Sequence, residues 1–161
     1  MNPITFTVPG NMIIKKNSQT TSYIQKNKQG KLAIRQSQDG RFAPVTYYTD
    51  AYKEWAKRCV QILMTLKTNL TAQGVQLPLT DKMNLKCLFY YDTNRKIDLS
   101  AMFEGINDCL AGNERWLNFD KKFYQIIEDD SVRFIGSFDG TRFIYEKVNP
   151  RTVVTLSDYI L

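Results

Sequence analysis

Histidine is absent from this 161-residue chain. That excludes a Ser-His-Asp triad, a histidine-type nuclease and His-ligated zinc hydrolysis, so any catalysis falls to carboxylates, lysine or tyrosine. Cysteine is scarce: Cys59, Cys87 and Cys109 are far apart, odd in number and form no CxxC pair. Neither a zinc site nor a disulfide framework is expected; buried thiols in a reducing cytoplasm are. No apolar run reaches the roughly 18 residues of a membrane span. The N-terminus lacks the charged and apolar regions of a signal peptide. These absences together point to a cytoplasmic protein.

The length suits one domain with an appended arm, and 43% hydrophobic and 12% aromatic residues suffice for a core. Charge is unevenly placed. The whole net charge of +6 sits in residues 1–45, where Lys15, Lys16, Lys26, Lys28, Lys31, Arg35 and Arg41 face only Asp39. Such segregation fits either a polyanion partner or a solvated, solubility-promoting surface. Between positions 98 and 130 the balance reverses, with eight acidic residues and three basic ones.

Periodicity outlines the elements. Residues 4–8 read as a strand closed by Pro9-Gly10. Residues 17–45 are polar, and 23–25 and 31–34 flank Lys28-Gln-Gly30 as a basic hairpin. Thr49 is placed to cap a helix over 50–67, with Ala51, Trp55, Cys59, Leu63 and Leu66 as its apolar stripe. Alternation over 83–91 predicts a strand with Met83, Leu85, Cys87, Phe89 and Tyr91 on one face. A second helix starts near Asp98, its stripe being Leu99, Met102, Phe103, Ile106 and Leu110. Asp98, Glu104 and Asp108 lie off that stripe. Asp139-Gly140 between two apolar runs predicts a hairpin over 132–145, and a last strand spans 152–157. This order predicts an α+β domain, a mixed sheet packed by two main helices.

Asp98 and Asp108 on the second helix, with Asp129 and Asp130 before a strand, offer hard oxygen ligands of the kind magnesium prefers. Carboxylates in an otherwise basic chain suit metal-assisted cleavage of a polyanion. Plainer roles stay open. Asp98 also suits a helix N-cap, Asp108 a solvated helix face, and 128–130 an acidic turn.

The spacing resembles the RusA family of Holliday-junction resolvases, endonucleases often carried by phages and prophages. Their signature is similar to Asp-x-Asp-Asn-x-x-Lys-x-x-x-Asp on a helix, followed by Asp-Asp before a strand. Asp98 takes the first position and Asp108 the last; Ile127-Glu-Asp-Asp-Ser-Val132 resembles the second motif, with Asp130 at the catalytic position. Phe6-Thr-Val-Pro-Gly10, the run 46–52, Phe138-Asp-Gly-Thr-Arg142 and Asn149-Pro-Arg151 extend the likeness over most of the chain. The pattern is broken at Ser100, Ala101 and Glu104, where Asp, Asn and Lys would stand. Either Glu104 is a replacement ligand, or catalysis has decayed and binding remains.

The resemblance implies one RusA-like domain over residues 1–161, with 17–45 as a basic arm and 111–124 as a second insertion. It implies a homodimer acting on four-way junctions or other branched DNA, nicking in pairs during recombination or repair, with Mg²⁺ or Mn²⁺ as cofactor. Asp98, Asp130 and Glu104 are then the catalytic candidates, and Asp98, Asp108, Asp129 and Asp130 the metal ligands. Lys15, Lys16, Lys26, Lys28, Lys31, Arg95 and Lys96 are the DNA contacts. The alternative is a non-catalytic, structure-specific DNA-binding protein of the same fold. Trp116 is expected to be buried against the sheet, base stacking being the other reading.

If the arm holds phosphates, neutralising Lys26, Lys28 and Lys31 together weakens DNA binding and flattens its salt dependence. Each lost contact lowers the log–log slope by about 0.9 on duplex DNA. Titrations at several salt concentrations check this, and an unchanged slope removes the arm from the interface.

Overall fold

The computed structural model describes residues 2–15, 19–22, 24–26, 32–34, 45–94 and 99–160. In chain order the elements are β1 (Ile4–Pro9), β2 (Gln19–Ser22), β3 (Ile24–Lys26), β4 (Leu32–Ile34), β5 (Val45–Tyr48), α1 (Asp50–Ala72), β6 (Met83–Tyr91), α2 (Leu99–Ala111), β7 (Ile135–Ser137), β8 (Arg142–Tyr145) and β9 (Arg151–Asp158). Two short 3-10 turns lie at Arg115–Leu117 and Lys121–Phe123. The main sheet is mixed and five-stranded, and β9 runs antiparallel between β1 and β6. The class is the α+β one that the element pattern predicts.

Alternation decides which face is covered. Met83, Leu85, Cys87, Phe89 and Tyr91 on β6 are all buried, as are Thr152, Val154 and Leu156 on β9 and Ile4, Phe6 and Val8 on β1. Residues between them are half-buried or exposed. Both helices add to that core, through Trp55, Cys59 and Leu63 from α1 and Met102, Ile106 and Leu110 from α2. Each fully buried Leu or Phe contributes about 1.5–3 kcal/mol of transfer free energy. All three cysteines are free and buried. No helix among the described residues is long and apolar enough to cross a membrane.

The Thr49 cap is present, its side chain accepting from the Tyr52 N–H at 3.4 Å. Two details of α1 differ from expectation. The helix runs past residue 67 to Ala72, because Leu70 continues the buried stripe, and Gly74 at φ +82° follows the last turn. Ala51 is exposed and Leu66 only half-buried. The buried arc centres on Tyr52, Cys59 and Leu63, and at about 100° per residue Ala51 falls off it. The expected hairpin in the basic segment is present as β3 and β4, paired from Ile24↔Ile34 to Lys26↔Leu32. The pairing of β2 with β5 was not anticipated.

The hairpin expected at Asp139-Gly140 does not form. β7 and β8 do not pair with each other; both run parallel along the same edge of β6, Met83↔Ile135 at one end and Leu88–Tyr91 against Arg142–Tyr145 at the other. Side chains take over the ladder between them. Asn84 Oδ1 accepts from Ser137 Oγ and from the Asp139 N–H, each at 2.7 Å, and the Cys87 N–H donates to Thr141 Oγ1 at 3.0 Å. Gly140 turns the chain at φ +79° and lets the second half-strand return to the same edge. An Asp-Gly turn signal therefore marks a bulged detour here.

Asn84→Ala removes both acceptor bonds and is expected to destabilise the domain by about 1–3 kcal/mol in urea unfolding. A loss below about 0.5 kcal/mol would mean that main-chain pairing alone holds the detour.

Candidate functional site

Asp108 lies on the last turns of α2, half-buried, at the same helical azimuth as exposed Glu104 one turn earlier. What faces it comes from the other end of the chain. After β1, residues 11–15 cross the end of β6 as a strap. Asn11 Nδ2 donates to Asp92 Oδ1 at 2.8 Å, the Tyr91 hydroxyl donates to the Met12 carbonyl, and Met12 is 2% exposed. Gly105 of α2 admits this strap: a Cβ there would lie 2.7 Å from Met12 Cε and 3.2 Å from the Trp55 ring. The strap delivers Lys15, 8% exposed, to the acidic helix.

The Lys15 ammonium donates to Asp108 Oδ2 and lies 3.1 Å from Glu114 Oε1. Glu114 has no solvent exposure. Its carboxylate also accepts from the Tyr52 hydroxyl of α1 at 2.5 Å and from the Trp116 indole N–H. Burial opposes the Lys15 charge, but the hydrogen bond to Asp108 and the fields of both carboxylates outweigh it, so its pKa stands above the ordinary 10.5. Burial, then Glu114, raises Tyr52 above its ordinary 10.0. Tyr48, Tyr52 and Trp116 form an aromatic cover, with ring centroids 5.1–6.1 Å apart.

Main-chain bonds bring the second acidic segment to α2. The N–H groups of Ile126 and Ile127 donate to the Leu110 carbonyl at 2.9 and 3.2 Å, and on the other side the Leu79 N–H donates to the Ile126 carbonyl at 2.7 Å while the Leu79 carbonyl accepts from the Glu128 N–H at 3.0 Å. Residues 128–130 thus leave a clamp between the end of α2 and the loop before β6. Asp129 is exposed and Asp130 half-buried. Asp129 Oδ1 accepts from the Asp130 N–H at 2.9 Å; that bond, then Ser131, lowers the Asp129 pKa. Burial, then the hydrogen bond with Asp129 and the field of Asp108, raises that of Asp130. Asp108 and Asp130, distant in sequence, are therefore electrostatic neighbours.

Asp98, Lys16, Lys28, Lys31, Arg95 and Lys96 lie outside the described residues, as do the side chains of Lys26 and Ser100. Lys15 does not fit the solvent-facing phosphate contact expected of it, because it is buried and committed to two carboxylates. Trp116 is half-buried against the core and packs on Tyr48, the last residue of β5, and on Tyr52 of α1. Glu114 and Tyr52 were missed. A lone acid in a polar stretch carries no periodic signal, and only its partners make it notable.

Carboxylate oxygens suit Mg²⁺ or Mn²⁺. Among the described residues, however, no group of three or more Asp, Glu, Cys or His side chains is placed to hold a metal ion. The donor type fits, and Asp98, the remaining carboxylate of the expected set, lies outside the described residues. No protein-family model matches the chain, and no curated protein matches it.

Removing one partner of a buried ion pair leaves an uncompensated charge. Lys15→Met is expected to destabilise the fold by about 3–5 kcal/mol, and Glu114→Gln in the same chain to recover much of that loss. Urea unfolding of the three variants measures it; a loss under about 1 kcal/mol would show the network to be marginal.

Stability should also be lost at high pH. Lys15 and Tyr52 have folded pKa values raised above 10.5 and 10.0, so the native state holds more protons than the unfolded one above those values. Their contribution is fully present below about pH 10 and declines as pH rises beyond it. Buried Tyr91, Cys87 and Cys109 are raised too and act in the same direction. Melting temperature measured from pH 7 to 11 should fall at the alkaline end.

Proposed function

We propose that this chain is a divalent-metal-dependent endodeoxyribonuclease of RusA type that nicks branched DNA such as four-way junctions. The observation that carries the reading is that main-chain bonds from Ile126 and Ile127 to Leu110 bring the segment leading into Asp129 and Asp130 to the end of α2, the helix that carries Asp108. Those are the segments whose spacing resembles the family's two acidic motifs. Asp129 and Asp130, with Asp98, would hold Mg²⁺ or Mn²⁺, and Glu104 stands one turn from Asp108 as a further carboxylate. When bound, the ion supplies an activated water and charge neutralisation at a scissile phosphate.

The remaining work belongs to the chain itself. The Asp130 N–H orients Asp129, and Lys15 holds Asp108. Lys16, Lys26, Lys28, Lys31, Arg95 and Lys96 would bind backbone phosphates, giving position and affinity without base readout. Paired nicks need two symmetric sites, which a homodimer provides. One observation favours the second reading, a structure-specific DNA-binding protein without turnover: Asp108 is already neutralised by Lys15, which leaves fewer carboxylates for a cation.

Wild-type protein is expected to nick labelled four-way junctions with Mg²⁺ or Mn²⁺ and not with chelator. Asp130→Asn should lower the rate by about 100-fold or more while junction affinity changes little. Binding without nicking under any divalent cation would establish the second reading. If wild type nicks and Glu104→Ala nicks equally, Glu104 leaves the ligand set.

A further inference from the structure

We infer that the face of the main sheet turned away from the helices is a docking surface for single-stranded nucleic acid. Arg151, held on the Tyr90 ring, offers a flat plate to an unpaired base, and Lys86 and Arg142 take the flanking phosphates. This face lies across the sheet from α2, the helix that carries Asp108, and the inference does not depend on a metal ion.

Strand pleating assigns the face. Alternate residues of β1, β6 and β9 are buried with α1 and α2 in one core, so the residues between them point to the other side. Register then sets the neighbours. Tyr90 lies opposite Arg151 on β9 and Ile144 on β8, and Leu88 opposite Val153 and Arg142. Lys86 follows one pleat further, opposite Thr155. Apolar side chains thus form the middle, and cations stand around them. The strand positions on this face include Lys86, Arg142 and Arg151 and no carboxylate. Glu146, just beyond β8, is committed to Arg151. Asp139 stands in the turn at the margin, and neither Lys86 nor Arg142 has an ion-pair partner among the described residues.

Arg151 is unlike a free surface arginine. Its guanidinium carbon lies 3.7 Å from the Tyr90 ring centre, and Nη1 donates to Glu146 Oε1 at 2.6 Å and to the Asn149 carbonyl at 2.7 Å. Its side chain is still 22% exposed. Ring, carboxylate and carbonyl fix the plane in advance, so little rotamer freedom is lost when a base stacks on it. A duplex hides its base faces and would leave Leu88, Val153 and Ile144 without contacts, whereas an unpaired strand offers those faces to apolar and guanidinium groups. A second copy packed here about a two-fold axis would bring the cations toward one another, which charge opposes. An acidic peptide would match the charge and leave the plate unused.

The test is fluorescence anisotropy with a labelled oligothymidylate of about 16 nucleotides, with chelator present so that nicking does not enter. Wild type is compared with the Lys86→Ala, Arg142→Ala double variant and with Arg151→Lys, each first shown to be folded by thermal unfolding. The double variant is expected to bind at least about fivefold more weakly at low salt, its log–log salt slope falling by about 0.7 for each lost contact. Arg151→Lys keeps the charge but loses the plane, and should also bind at least about fivefold more weakly, with little change of slope. The matching duplex should lose less than about twofold in either variant. If Arg151→Lys does not fold, the double variant decides. No binding of the single strand by wild type, or equal binding by wild type and variants, would overturn the inference, whatever the outcome of the junction-nicking assay. Equal losses on single strand and duplex would also overturn it, because the face would then be a general phosphate surface. Polyglutamate that displaces the oligonucleotide as well as unlabelled oligothymidylate does would overturn it in favour of an acidic protein partner. Sedimentation showing a dimeric wild type and a monomeric double variant would assign the face to a second copy instead.

Discussion

Glu114 is a carboxylate without solvent exposure, and the end of the domain that carries the acids is organised around satisfying it. Burying a lone carboxylate costs several kcal/mol, so the site folds only if donors and a cation arrive together. They come from separate parts of the chain. Lys15 comes from the strap after β1, Tyr52 from the first turn of α1, and Trp116 from the 3-10 turn beyond α2. One buried charge thus ties the chain's N-terminal segment to both helices. The aromatic rings of Tyr48, Tyr52 and Trp116 add apolar area over the network and strengthen its electrostatics by excluding water.

The segments differ in how readable they were. Period-two alternation along Met83–Tyr91 foretold a buried face correctly at every position, because a strand in the middle of a sheet obeys one rule throughout. The Thr49 cap, and Met102, Ile106 and Leu110 in the stripe of α2, were legible for the same reason: capping and helical period are local. Lys15 was not. Seven basic residues before position 46 look alike in sequence, and it is the path of the strap that buries Lys15. The Asp139-Gly140 turn was read as a hairpin because the dipeptide reports backbone shape, not which strand edge is vacant. Here β6 offered that edge, and the Asn84 and Thr141 side chains satisfied the interrupted ladder. Asp108, Asp129 and Asp130 were singled out from spacing and resemblance. The cation that Asp108 shares with the buried Glu114 was not, since it depends on contacts across about ninety positions of chain.

A two-layer α+β domain of this kind supports many activities, so the fold does not decide among them; the state of the carboxylates does. Asp129 and Asp130 are adjacent yet shifted in opposite directions. The exposed one is held charged by the Asp130 N–H, while the half-buried one is pushed toward its neutral form by burial and by Asp108. That division follows from local surroundings, a main-chain donor at Asp129 and burial at Asp130, and not from residue type, which the two share. Among the described residues the cation of the acidic end is Lys15, and it is committed to Asp108 and Glu114.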